Sequence, residues 1–481
     1  MFETGEMDRL LSPAAKIPRR HSLLFALLAL LAVFCHLYAL QKLPELPSIA
    51  VLPSLSWLFK PSKFWHAFAP VLAATGPECA APTLSQNAAA DLISADEYEL
   101  VDIIDISQGD VESMRRSHAL FVDLLEFGPP SLDYKRGTKG VVTRAQKPHI
   151  PILLVNLLML RCGKLSSDTP VEVFLATPDE YEEQVCDVIL PALNAKCIVL
   201  SRLLDSSTHK FPIAEEQLDI LAIAFSSFES VLYLDVDAFP LQSLKTIFDS
   251  EPLLSRGLVL WPDLRAPRFA PQFSKITGLS SEISLVSPTV HGSQLLISKE
   301  HHAKTLLLAV YYSIHWQHYA PLIRQGRAMS GDFFLAAALV LNASVYTVAQ
   351  PPHPLGSNDT KPPEAVLLQD EPSVDFTCAN QTQDNDGCNP VPVFLASGWT
   401  SATSLNPFAK PPSKRQWGAP ERSQELYGED IEVAVWGFVV EVACVEELVV
   451  SRWRSEKTEV CERVMGAYRE IFWREYVEVE R

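Results

Sequence analysis

Nineteen residues from Ser22 to Leu40, reading SLLFALLALLAVFCHLYAL, contain one histidine and no fully charged side chain. A run of that length matches the thickness of a hydrocarbon core, and this limits the chain more than any other feature. Lys16, Arg19 and Arg20 precede it, and Lys42 and Glu45 come after it. Positive charge on the near side places residues 1–21 in the cytosol and everything beyond residue 40 in a lumen. A cleaved signal peptide is the alternative. The length of the run, the long polar lead and the lack of a clean A-x-A site favour a retained anchor.

The cysteines fit an oxidising lumen. Cys35 lies within the apolar run, while Cys79, Cys162, Cys186, Cys197, Cys378, Cys388, Cys444 and Cys461 lie beyond it. Cys186 with Cys197 and Cys378 with Cys388 are the local pairing candidates. No C-x-x-C pair occurs, so a zinc site has no support. N-x-S/T sequons stand at Asn342, Asn358 and Asn380, the first in an apolar stretch that predicts burial. A net charge of −18 argues against a nucleic-acid partner, which needs a basic face. It permits an anionic nucleotide if a divalent cation bridges the two.

Residues 41–95 carry many prolines and small residues and read as a stem. Helical spacing runs from Asp96 to Phe127 and stops at Gly128-Pro129-Pro130. Gly140–Thr143, Val171–Ala176, Cys197–Leu200, Val231–Leu234 and Gly257–Trp261 read as short strands. Pro151–Leu160 and Gln217–Phe228 read as helices between them. Such alternation predicts an α/β fold with a mostly parallel sheet, its ligand beyond the carboxyl ends of the strands. Residues 355–412 shift to Pro, Asn, Asp and Ser and read as an irregular excursion. The domain is expected over 96–447, with a helical tail over 448–481.

Asp235-Val236-Asp237 closes the Val231–Leu234 strand. At period two the carboxylates point to one side, and side by side each disfavours the other's ionisation unless a cation intervenes. Oxygen ligands of this kind suit Mg²⁺ or Mn²⁺, which would assist a departing diphosphate. Asp384-Asn385-Asp386 matches the same pattern but has no strand before it, and as half of a calcium loop it lacks the closing Glu. No P-loop, G-x-S-x-G elbow or H-E-x-x-H is present, which removes NTPase, serine-hydrolase and zincin readings.

Several stretches, in order, resemble the fungal MNN1/MNN2-type α-mannosyltransferases, a GT-A family of Golgi type II membrane proteins. These are Tyr134–Val142, Val171–Leu175, Leu190–Ala195, Ser226-Ser227-Phe228-Glu229 with Leu232–Asp237, Leu260–Asp263, Gly292–Leu296, Pro321–Gly326 and Gln416-Trp417-Gly418. The resemblance implies a GT-A nucleotide-diphospho-sugar transferase fold, GDP-mannose as donor, Mn²⁺ as cofactor, and transfer with retention to a glycoprotein or mannan acceptor. It implies that Asp235 and Asp237 hold the metal and diphosphate, and that Gly137, Thr138 and Gly140 lie at the nucleotide. Asp263, His291 and Gln294 would face the sugar or acceptor, and Asp332 would join the catalytic group. Trp261 and Trp417 read as core aromatics. Lys135, Arg136 and Lys139 read equally as a solvated turn or as phosphate contacts.

Four positions depart from the family's pattern. Asp219 stands where a basic residue is usual, and His291 where Glu is. Gly331-Asp332-Phe333-Phe334 replaces G-D-K-E-T-F, and Ala396 takes the place of a histidine that would be a third metal ligand. His291 and His353 are the candidate substitutes. The departures leave open another donor sugar, or an inactive Golgi partner, beside the mannosyltransferase reading; oligomeric state stays open as well.

Overall fold

The computed structural model describes residues 62–84, 104–162, 166–264, 269–280, 290–324, 330–356, 366–380, 391–400 and 406–478. The expected cytosolic tail and anchor, Cys388, Asn358 and the Asp384-Asn385-Asp386 triplet lie outside them. Among the described residues no helix is long and apolar enough to cross a membrane.

In chain order the strands of the two larger sheets are β1 (Lys135–Arg144), β2 (Val171–Leu175), β3 (Ala195–Val199), β4 (Phe228–Leu234), β5 (Ala238–Pro240) and β6 (Leu258–Pro262). They continue with β7 (Val290–Ser298), β8 (Tyr346–Thr347), β9 (His353–Leu355), β10 (Val366–Asp370) and β11 (Pro392–Ala396). The main helices are α1 (Lys63–Ala74), α2 (Gln108–Phe127), α3 (Ile150–Arg161), α4 (Leu218–Phe225), α5 (Lys299–Ile314), α6 (Ser330–Val340), α7 (Ile431–Cys444) and α8 (Lys457–Glu478).

Seven strands form a central sheet in the order β8-β6-β7-β4-β1-β2-β3. β1 runs parallel to β2 and β4, β2 parallel to β3, and β8 parallel to β6, whereas β7 is antiparallel to both its neighbours. The sheet is therefore mixed with a mostly parallel core, as the alternation of elements predicts. β9-β10-β11-β5 make a second, antiparallel sheet.

Both faces of the central sheet are covered, which is why its strands read as continuous apolar runs. Val231 and Tyr233 of β4 pack toward α1, α2, α4, α5 and α6. Leu232 and Leu234 pack toward α3, α7, α8 and the second sheet. Trp261 and Trp417 are buried in the latter layer, as expected.

Five expectations need correction. The stem does not extend to residue 95, because α1 buries Phe64, Trp65, Phe68, Ala69 and Leu72 in the first layer. The proline-rich composition of that region conceals one amphipathic helix. The helix expected from Asp96 begins at Gln108, where the Ser107 side chain caps it by accepting from the Asp110 N–H at 3.1 Å. Within 355–412, β10 and β11 are wholly buried strands, so these two segments are part of the core. Residues 448–481 are not an appended tail. Val460, Val464, Ile471 and Phe472 of α8 enter the second layer, and a Cys444–Cys461 disulfide joins α8 to α7. Cys186–Cys197 is bonded as expected. Asn342, expected to be buried, is exposed in the turn after α6 with φ of 48°.

Candidate functional site

β4 ends at Leu234, and Asp235–Asp237 form a turn. The Ala238 N–H donates to the Asp235 carbonyl at 3.0 Å, and the Asp235 N–H donates to the Ser293 carbonyl of β7 at 2.8 Å. The turn, rather than strand periodicity, brings the two carboxylates together. Asp235 Oδ1 accepts its neighbour Val236 N–H at 2.9 Å. Asp237 is buried, and its Oδ2 accepts both the N–H and the hydroxyl of Thr400, each at 3.0 Å. Burial, then the negative charges of Asp237 and Asp219, push the Asp235 carboxyl up to about 8, against the pull of Arg144 and the Val236 N–H. Two crowded carboxylates in this state favour a divalent cation held by oxygen.

Basic groups from the end of β1 and from the β1–α3 connection face them. Val142 pairs with Tyr233, so the parallel register sets Arg144 beside Asp235 at the carboxyl end of the sheet. Arg144 Nε donates to Asp219 Oδ1 at 2.7 Å and its NH1 to Glu215 Oε2 at 2.9 Å. His149, just before α3, is held below the usual imidazole range by burial, with Asp237 pulling it up and Arg144 and Arg452 pushing it down. Neither Arg144 nor His149 was singled out from the sequence. The signal available was their position directly after a strand that ends level with the aspartates.

Gln294 of β7 lies opposite Leu234 and is fully buried, and neither its Nε2 nor its Oε1 has a partner among the described residues. A buried amide with both ends orphaned, one residue from the Asp235–Ser293 contact, fits a site that a ligand completes. Next to it the Ser293 N–H donates to His291 Nδ1 at 3.4 Å, and the Val290 N–H reaches Asp332 Oδ1 at 3.5 Å from the first turn of α6. Asp263 lies just past β6, and its Oδ1 accepts the Leu264 N–H at 2.7 Å. The fold thus gathers Asp235, Asp237, Gln294, His291, Asp332 and Asp263 toward the end of the sheet where β4 and β6 finish and β7 begins.

Gly137, Thr138 and Gly140 do not join them. β1 pairs Lys135 with Phe228 and Gly140 with Val231. At about 3.3 Å per residue, Gly140 lies roughly 13 Å short of Asp235, and Gly137 farther still. Their small size has other causes. A Cβ on Gly140 would lie 2.2 Å from the Phe228 ring, and Gly137 takes φ of 72° and donates to Glu229 at 3.1 Å. Lys139 pairs with Asp249 on the surface at this same far end.

One of the four departures is offset by a neighbour. Asp219 is neutralised by Arg144, which supplies a guanidinium from the adjacent strand. His353 pairs with Asp370 at 3.1 Å. Among the described residues no three His, Cys, Asp or Glu side chains gather as a metal cage, so neither His291 nor His353 completes one. Two protein carboxylates still suit a cation that shares its remaining positions with a diphosphate and water.

A cavity of about 690 Å³ opens beside Glu215 at the carboxyl ends of β2 and β3, with Thr177, Trp65, Phe211, Lys210 and Leu218 in its wall. Glu215 also accepts from Arg144 and Gln146, so the cavity backs onto the carboxylate site.

The family model described as a putative mannosyltransferase matches residues 138–292 and 280–385, together more than half of the chain. An α-1,2-mannosyltransferase of Candida albicans, MNN21, is 33% identical over 307 residues, covering 54% of this chain and 46% of that protein. The MNN2 α-1,2-mannosyltransferase of Saccharomyces cerevisiae is 30% identical over 299 residues, covering 54% and 49%. The chain spans about half the length of the curated relatives it matches. Among solved structures, the galactosyltransferase LgtC with donor and acceptor sugar analogues is 14% identical, with 44% of this chain and 73% of that chain covered and a TM-score of 0.30. Mouse xyloside xylosyltransferase 1 is 12% identical, with 44% and 84% covered and the same TM-score.

Proposed function

This chain belongs to the putative mannosyltransferase family, and from that premise we propose that it transfers mannose from GDP-mannose to a glycoprotein or mannan acceptor with retention. The observation that carries the reading is the turn that sets Asp235 and Asp237 together at the sheet end, with Arg144 beside them.

Asp235 and Asp237 would hold Mn²⁺ or Mg²⁺, which offsets the charge of the departing diphosphate. Arg144 and His149 stand where they stabilise developing negative charge on the same group. Arg144 is kept oriented by Asp219 and Glu215, so its guanidinium is in place before the donor arrives. The cavity beside Glu215 has room for the nucleoside. Gln294 offers a donor and an acceptor to sugar hydroxyls, and His291, Asp332 and Asp263 line the acceptor approach. Retention results from attack of the acceptor hydroxyl on the face the diphosphate leaves. The Cys186–Cys197 and Cys444–Cys461 disulfides support an oxidising compartment. With Ser22–Leu40 as anchor, the protein would be a single-pass type II Golgi membrane protein whose catalytic domain faces the lumen.

The test is calorimetric binding of GDP-mannose to the full-length chain in detergent, with and without Mn²⁺, against GDP-glucose and UDP-sugars. Manganese-dependent preference for GDP-mannose is expected. A folded chain that binds none of these would sink the transferase reading.

A further inference from the structure

We infer that Asn156 is a positioning residue: from the middle of α3 its amide fixes the turn that presents Asp237 to the cation. Every residue of α3, IPILLVNLLMLR, is buried. An amide in such a helix costs free energy unless its hydrogens find acceptors. Asn156 Nδ2 donates to the Val236 carbonyl at 3.2 Å and to the Ala238 carbonyl at 2.8 Å. Both partners are acceptors, so only the NH₂ group can face them, and the amide orientation is determined.

These two carbonyls stand on either side of Asp237, so a single side chain holds the Val236–Asp237 peptide and the Ala238–Phe239 peptide that bracket it. Other contacts fasten the turn from the sheet and from the loop beyond β11. The Ala238 N–H closes on Asp235, the Ser397 N–H donates to the Asp237 carbonyl at 3.0 Å, and Thr400 grips the carboxylate. Asn156 ties the same turn to the helix layer. α3 is itself pinned at its far end, where Arg161 donates to the Leu193 carbonyl at 2.8 Å and the Ser167 carbonyl at 2.6 Å. The helix is therefore a strut with Asn156 as its grip, and the spacing of the two carboxylates depends on that grip.

The inference rests on the cation-assisted transfer proposed above, and its test separates the two. Asn156→Leu is near in volume and matches the apolar surroundings; Asn156→Ser is the second variant should the first not fold. Two quantities are measured on the full-length chain in detergent: Mn²⁺ binding by calorimetry, and hydrogen exchange of the peptide containing Ala238. A folded variant should exchange faster at Ala238 and bind Mn²⁺ about 10–100-fold more weakly, as loss of an outer partner of a metal ligand typically does. Wild-type Mn²⁺ affinity and unchanged exchange in a folded variant would overturn the inference. Failure of both variants to fold would also overturn it, by making Asn156 a folding residue. If the wild-type chain binds no Mn²⁺, the cation reading falls, and exchange at Ala238 alone decides whether Asn156 holds the turn.

Discussion

Arg144 on β1 reaches the carboxylate of Asp219 on α4 at 2.7 Å, so the acidic residue found at an expected basic position comes with its own counter-charge. The pair sits within the field of Asp235. Arg144→Met should weaken donor binding and leave Asp219 facing Asp235 uncompensated. Asp219→Asn in the same background should recover part of the lost stability. A double-mutant cycle on thermal unfolding is expected to return a coupling of about 0.5–3 kcal/mol, and a coupling near zero would show the pair to be incidental.

Asp237 carries a hydrogen-bonding duty as well as a charge. Asp237→Asn keeps an oxygen for Thr400, so it should melt close to wild type yet lose manganese-dependent binding of GDP-mannose. Asp237→Ala should lose binding too, and should also melt lower because Thr400 is left without its acceptor. Retained donor binding in either folded variant would remove Asp237 from the metal site.

Among the described residues Gln294 finds no hydrogen-bond partner for either end of its fully buried amide. Replacing an orphaned buried polar group by an apolar one of similar size relieves a desolvation cost of about 1–3 kcal/mol. Gln294→Leu should therefore unfold at a higher temperature while losing most of its transfer activity. A variant that is less stable would mean that the amide serves the fold.

Lys299 lies fully buried beneath the sheet, its Nζ donating to the Ala224 carbonyl at 3.2 Å and the Ser226 carbonyl at 2.6 Å. Burial pushes its ammonium down to about 7, against the pull of Glu172 and Asp133. Between about 7 and the ordinary lysine value of 10.5 the folded chain holds this lysine neutral while the unfolded chain still protonates it. The unfolded state then binds more protons, so this group adds stability as pH rises through that window. Wild type should gain on Lys299→Met by up to about 1.4 kcal/mol per pH unit there, read as unfolding free energy at several pH values. A constant difference would rule the titration out.

The C-terminal helix is expected to be indispensable. Cys444→Ser with Cys461→Ser opens a short loop between α7 and α8 and should cost about 3 kcal/mol in denaturant unfolding. Ending the chain after Cys444 should expose the face of α7 that carries Trp436 and Val439, and yield an aggregating product. Soluble, cooperatively folded material from that truncation would show that α8 is not needed for the fold.

Local patterns are written in the sequence because they depend on neighbours along the chain. Val231–Leu234 with two aspartates after it announces a strand closing on a carboxylate pair. Pro151–Leu160 announces a buried helix, and the spacing of Cys186 and Cys197 a disulfide. The α/β class and the end of the sheet that bears the site come from the same alternation. The tertiary structure decided which distant residues meet. β1 carries the glycines at one end and Arg144 at the other, and only its parallel register with β4 shows that Arg144, not Gly137 or Gly140, stands beside Asp235. α1 looks like stem and α8 like tail because their apolar faces have no partner until α2 and α4, and α7, supply one. Asn156 reads as one polar interruption in an apolar helix until folding brings two carbonyls, eighty and more residues away, onto its amide.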